Sequence, residues 1–260
     1  LDDILVVYTA LFGDYDNLIE PKENYENCYF VCFTDQKHLK SNIWDIKIIE
    51  HNDLPLNVMN RKYKMLPHLF FNEYKWSLYI DSNIAIVGNI YNLAKRYLDT
   101  NDIAIPIHFK RECIYEELLA VEHSKKANSA IVNNFKSYLQ KEGFPENFGL
   151  TENNIIFRRH NSTIIIKLMD EWWIFFNEYI QRDQLHLMFL IWKYNINLNK
   201  ISINSRGNDF FRTKPHKSEN IKCIFSNLYI NILEIIYNNP KLLKLQSILI
   251  IYKKFCEKIK

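Results

Sequence analysis

The stretch RKYKMLPHLFFNEYKWSLYIDSNIAIVG, residues 61–88, decides how this chain is read. Arg61 and Lys64 stand one helical turn apart, so a helix projects both from one face. An apolar and aromatic run follows. Then comes WSLYI, a short run with the look of a buried strand, which ends at once in Asp81-Ser82-Asn83. A second run, IAIV, closes at Gly88. A strand that delivers a carboxylate at its C-terminal end, with a second oxygen donor two residues on, suits a hard cation such as Mg²⁺ or Mn²⁺. Asn83 is a neutral and weaker donor than a carboxylate. Asp-Ser-Asn is also a good turn sequence. The cationic pair has two readings as well: a solvated helix face, or a seat for a diphosphate.

Upstream, ILVVY (4–8) is β-branched and continuous, as a central strand is. It leads into TALFGDYD, a loop around Gly13. In open α/β sheets ligands sit at the C-terminal edge of the strands. A nucleotide there would meet Thr9 and the backbone at Gly13, with Tyr15 free to stack on a base. CYFVCFT (28–34) is the second strand, and Asp35 at its end is placed to accept ribose hydroxyls or a base N–H. WDIKIIE (44–50) alternates like an edge strand. Residues 58–74 read as one helix, with Arg61, Lys64 and His68 on a shared face.

Downstream, a short helix spans 91–98 and a buried strand 103–107. His108 and Arg111 follow that strand directly, and Glu116, Glu117, Glu122 and His123 open a helix running to about residue 139. A short strand, NIIFR (154–158), precedes a long helix at 162–179, with Asn161 as its N-cap. Trp172, Trp173, Phe175 and Phe176 on that helix are core by their spacing, although an aromatic face can also stack on a sugar. Arg182-Asp183-Gln184 then opens another helix. The segment 210–217 is basic and aromatic, and reads either as a linker or as a lid folded back over a diphosphate.

The chain has 260 residues, enough for one large domain with a full core. Its net charge of +3 leaves no nucleic-acid footprint, so no nucleic-acid partner is expected. The 5 Cys are odd in number and widely spaced, which argues for free thiols in a reducing compartment rather than a zinc site. No membrane span or signal peptide is visible, so the expected location is cytoplasmic. Residues 221–260 differ from the rest. They are rich in Ile, Leu, Tyr and Lys and read as two amphipathic helices. Packing on the domain is the first expectation for them, and peripheral contact with the inner face of a membrane the second. The domain boundary is placed at 217/218.

The ordered set YTALFGDYD, CYFVCFTD, NRKYKMLPH, WSLYIDSNIAI, HFKRECIYEE, NNIIFRRHN and EWWIFFNEYIQRDQLHL resembles a glycosyltransferase-like family once known only as a domain of unknown function. Its plant members are linked to turgor regulation and seed mucilage, and its bacterial members sit in polysaccharide gene sets. The resemblance covers about residues 4–217. It implies a GT-A fold, a Rossmann-like α/β domain with a mixed, mainly parallel sheet, here followed by the C-terminal helical extension. It implies a nucleoside-diphosphate-sugar donor, a UDP-sugar foremost, and a glycan acceptor in surface or capsular polysaccharide synthesis. A DxD-like metal site maps to Asp81 and Asn83, and a late metal-binding His to His216. A His-x-x-Arg element maps to His108 and Arg111, an acidic pair to Glu116 and Glu117, and an Arg-Asp-Gln element to Arg182, Asp183 and Gln184.

The combined expectation is as follows. Thr9, Gly13, Tyr15 and Asp35 hold the nucleoside. Asp81, Asn83 and His216 hold Mn²⁺ or Mg²⁺. Arg61, Lys64 and Arg111 neutralise the diphosphate, and His108 joins them in binding the donor. Asp183 is the candidate base for an inverting reaction, with Gln184 and Glu117 beside it; in a retaining reaction Asp183 or Gln184 would only orient the sugar. The alternatives are a nucleotide-sugar hydrolase or metal-independent transferase, and a non-catalytic glycan-binding or scaffold protein that keeps the fold.

Overall fold

The computed structural model describes residues 3–50 and 53–216. The expected C-terminal helices, with Cys223 and Cys256, lie outside the described residues. Within them Cys28, Cys32 and Cys113 are free thiols. No helix among the described residues is long and apolar enough to cross a membrane.

The centre is β1 (Leu5–Leu11), in which every residue is buried. Its β-branched and aromatic side chains suit a pleated surface covered on both faces. It pairs in parallel with β2 (Cys28–Thr34) over its whole length and with β4 (Trp76–Ile80). The strand therefore runs on past Tyr8 to Leu11, because Thr9, Ala10 and Leu11 continue the ladder against Cys32, Phe33 and Thr34. Outside β2 lies β3 (Asp45–Ile48), parallel again and half exposed, as an edge strand should be. On the other side of β4 lie β7 (Ile155–Arg158), β6 (Ile103–Pro106) and β8 (Leu198–Ile201). The order is β3-β2-β1-β4-β7-β6-β8. All neighbours are parallel except where β7 meets β4 and β6. This is the expected α/β architecture with a mixed, mainly parallel sheet.

The reversed strand positions the site. A parallel strand brings its end to the ligand-binding edge, whereas β7 brings its beginning. Residues 151–154 thus arrive beside the ends of β1, β4 and β6. The backbone N–H of Asp81 donates to the Asn154 carbonyl at 2.9 Å, which fixes that junction.

Side chains alternate across the sheet. Val6, Tyr8 and Ala10 face one hydrophobic cluster, and Leu5, Val7 and Leu11 face the other. The first face is covered by α1 (Leu56–Met65), α3 (Ile114–His123), α4 (Ser129–Lys141), α5 (Thr163–Glu178) and α6 (Leu187–Lys193). The second carries α2 (Ile90–Tyr97), capped by the Asn89 side chain, and a small antiparallel ribbon of β5 (Ile84–Ile86) with β9 (Phe211–Thr213).

Three helix expectations change. The helix expected at 58–74 is α1 alone, because Pro67 has no N–H and disfavours helical backbone at the residue before it. Leu66 accordingly turns out to φ −114°, ψ 51°, and a 3₁₀ turn, Pro67–Leu69, follows. His68 therefore leaves the Arg61–Lys64 face and pairs with Asp170 at 3.2 Å. The helix expected to run to 139 is broken into α3 and α4, the second restarted by Asn128, whose side chain accepts from the Ala130 N–H at 2.8 Å. Asn161 is not the cap of α5, which is Ser162. Its amide donates instead to the carbonyls of Asn72 and Tyr74.

Candidate active site

The strand ends converge on a cleft of about 330 Å³ in which every lining residue is polar or charged. Asp183 is its organising group. It stands in a 3₁₀ turn, Asp183–Leu185, 7% exposed, and its backbone carbonyl accepts from the Trp172 indole at 3.0 Å. Trp172 is thus core, as its spacing implies, and also the prop under this turn. Lys64 reaches the Asp183 carboxylate at 2.6 Å and Arg61 at 3.3 Å. The expected one-turn spacing on α1 therefore does place both cations on one face, and that face is the cleft.

Lys64 is 2% exposed. Its ammonium also lies 3.5 Å from Asp81 and 5.0 Å from the centroid of the Tyr79 ring. Tyr79 donates its hydroxyl to Asp81 at 2.9 Å, and burial and then the Asp81 charge hold that phenol protonated by pushing it well up. The Lys64 carbonyl is fixed as firmly. It accepts from the Tyr8 hydroxyl at 3.1 Å and from Arg158 at 3.0 Å. Arg158 is fully buried. Its side chain bonds Tyr8, Met169 and this carbonyl, and no carboxylate pairs with it among the described residues.

Burial alone would raise the Asp183 carboxyl. The charges of Arg61 and Lys64 outweigh that and hold it far below the usual carboxylate range. A carboxylate so stabilised gains little by taking a proton, so in this arrangement it is a weak base. The candidate base is thus held between Arg61 and Lys64. Gln184 is also committed: its amide bridges the Thr151 carbonyl and the Asn153 N–H, tying the Asp183 turn to the start of β7. Glu117 is paired with Arg111, and Glu152 with Arg206. The His108 ring nitrogen accepts from the Lys110 and Arg111 N–H groups, and burial followed by the nearby Arg111 and Arg206 pushes the imidazole down to about 4. His108 is therefore neutral at pH 7. It shapes the loop that carries Arg111 and adds no positive charge of its own.

The cleft continues past Arg61 and Arg182 into a hollow of about 590 Å³ beside the loop after β1. Gly13 takes φ +67° there, and its N–H donates to Asp35 at 2.8 Å. Tyr15 is 58% exposed at the mouth, its ring 4.9 Å from that of His216. Gly13, Tyr15 and Asp35 are thus together as expected, with part of Asp35 spent on holding the glycine turn. Thr9 is not with them. It lies within β1, fully buried, with its hydroxyl unpartnered among the described residues. The strand outran the expected loop, which corrects the assignment of Thr9 to the nucleoside.

A family description, the TOD1/MUCI70 glycosyltransferase-like domain, matches residues 2–213. The chain belongs to that family. No curated protein matches it. Among solved structures it is similar to the apo structure of a bifunctional glycosyltransferase, WbbM, with a TM-score of 0.45 and 12% identity over 77% of this chain. The match spans only 38% of that longer chain.

Within this family member, the three expected metal ligands do reach one hollow, together with Asp16. Each is tied to a neighbour through one or two of its polar atoms. The Asn83 amide donates to the Lys214 carbonyl at 3.0 Å, and the Asn83 carbonyl accepts from the Lys214 N–H at 2.7 Å. The His216 ring nitrogen pairs with Asp16 at 2.9 Å. Asp81 carries Tyr79 and Lys64. No group of three or more His, Cys, Asp or Glu among the described residues is arranged to hold a metal ion.

Sequence reasoning missed Lys126, Glu152 and Arg206 as cleft residues and Asp16 in the hollow beside it, and named Arg182 without giving it a role. Asp16 stood in plain sight in the GDYD loop. Arg182 stands next to Asp183 and lines the cleft and both neighbouring hollows. Its Nε is buried with no hydrogen-bond partner among the described residues. Nothing in the sequence around Glu152 or Arg206 announces their pairing across 54 positions.

Proposed function

We propose that this chain transfers a glycosyl group from a nucleoside-diphosphate sugar to a glycan acceptor. The observation that carries the reading is the junction at Arg61 and Arg182. On one side lies a hollow with apolar walls, Phe12 and Leu56, and an exposed aromatic ring, Tyr15, suited to a base. On the other lies a wholly polar cleft, suited to sugar hydroxyls. The guanidiniums between them match two phosphates, whose oxygens take bidentate hydrogen bonds. A nucleotide sugar has this order of parts: base, diphosphate, sugar.

In that pose Arg61 and Arg182 stabilise the charge that develops on the leaving diphosphate. Asp183 fixes Arg61 and Lys64 in place. It does not take the acceptor proton while both cations hold it. The Arg111–Glu117 and Arg206–Glu152 pairs line the sugar side, where paired charges orient hydroxyls without adding net charge. A UDP-sugar remains the foremost donor, and a polysaccharide the acceptor class. The GT-A designation and the cytoplasmic setting belong to the same reading.

The test is release of nucleoside diphosphate from a panel of UDP-, GDP-, CDP- and ADP-sugars, with and without oligosaccharide acceptors. One donor is expected to turn over, and Arg182→Ala to lower kcat/KM by about 100-fold, the scale of losing one charge-stabilising donor. Absence of turnover and of nucleotide binding across the whole panel would leave a non-catalytic glycan-binding role.

A further inference from the structure

We propose that the diphosphate site is metal-independent, with the Lys64 ammonium holding together the carboxylates that a divalent ion would otherwise bridge. The inference rests on the nucleotide-sugar reading above and deepens it.

The donor set is poor for a resident Mg²⁺ or Mn²⁺. Such an ion asks for several oxygen donors in fixed geometry, chiefly carboxylates. Asp81 is a single carboxylate, and Tyr79 and Lys64 both donate to its Oδ1. The Asn83 amide nitrogen and backbone carbonyl are both turned onto Lys214, which pins the chain that follows β9. His216 is joined to Asp16.

Lys64, by contrast, is built in. Its head group contacts Asp183, Asp81 and the Tyr79 ring, and its carbonyl is held by Tyr8 and Arg158. An exposed lysine is a mobile point charge. One fixed at both ends and 2% exposed is a permanent feature of the site. A divalent ion seated on Asp81 would lie within a few ångströms of this ammonium, and like charges at that range repel.

Charge balance agrees. Six cationic side chains line the cleft, Arg61, Lys64, Arg111, Lys126, Arg182 and Arg206, against the four carboxylates of Asp81, Glu117, Glu152 and Asp183. With Asp16 of the adjoining hollow counted as well, cations still outnumber carboxylates, as a diphosphate site requires. Arg182 and Lys126, which no carboxylate contacts within salt-bridge distance among the described residues, are the cations left to face the phosphates.

The test uses the full chain and UDP, GDP, CDP and ADP, each in EDTA and again in Mn²⁺ or Mg²⁺. Thermal shift and calorimetry read binding, because only a ligand of the folded state raises the melting temperature. The expected result is one nucleotide that binds in EDTA with Kd within about twofold of its value in metal, weakened about tenfold or more by Arg182→Ala. Mn²⁺ titrated alone, followed by its electron paramagnetic resonance signal, is expected to stay free. Binding that appears only with metal, and is lost in Asp81→Ala, would overturn the inference and leave the nucleotide-sugar reading standing. No binding under any condition would overturn both.

Discussion

At the scale of the residue, Asp183 determines how the site behaves. Its carboxylate is buried between two cations, so removing its charge strands Arg61 and Lys64. Asp183→Asn is expected to destabilise the protein by about 3–5 kcal/mol, the range for breaking a buried ion pair from one side, as measured by urea unfolding. The pH dependence has a definite sign. The folded-state carboxyl lies below its unfolded value of about 3.9. Its contribution is thus present above that value and drains away as pH falls through and below it. The Asn variant should lose this part of the acid limb. Such a triad was only half legible in the sequence. The spacing of Arg61 and Lys64 announced a shared face, and Asp183 stood out beside a helix start. Their meeting spans 119 positions, and local pattern carries no information about a contact that distant.

At the scale of the element, the short ribbon of β5 and β9 decides whether the cleft has a floor. Gly88 closes β5's run against the turn before β9. A Cβ there would fall 2.3 Å from the Asp209 carbonyl and 3.1 Å from the Phe210 ring. The backbone would have to shift. Gly88→Ala should therefore displace β9, and with it Lys214 and His216, lowering the melting temperature by several degrees and weakening nucleotide binding while the main sheet persists. A variant with unchanged affinity would show that β9 is not needed at the site. Elements were the most legible level. Strands β1, β2, β4 and β6 and the turn after β4 stood out because continuous β-branched runs ending in polar clusters have few other solutions. The direction of β7 was not legible, since a run of apolar residues reads alike in either direction. The end of α1 was in principle legible from Pro67. The aromatic run after it hid the break.

At the scale of the whole molecule, acid stability also rests on histidines buried in the core. His160 and His186 are fully buried, and burial above all pushes each down to about 4. Their ring nitrogens lie 2.7 Å from the backbone carbonyls of Phe71 and Ile180. Unfolded, each would take up a proton below about pH 6.5, whereas folded each stays neutral until about pH 4. The unfolded state then binds more protons, so stability falls as pH drops through that window. Each contributes a slope of up to about 1.4 kcal/mol per pH unit. Urea midpoints between pH 8 and pH 4.5 should show it, and a flat profile would mean that both rings are protonated in the fold.

The joining of Asp16 to His216 spans 200 positions. Proteins are made from the amino terminus onward, and domains fold as they emerge. A nascent chain can lay down β1, β2 and β4 early, yet the hollow beside Asp81 lacks its last wall until residue 216 has left the ribosome. Half-made copies would thus carry much of the sheet without the finished hollow, and synthesis itself delays the moment at which that hollow closes.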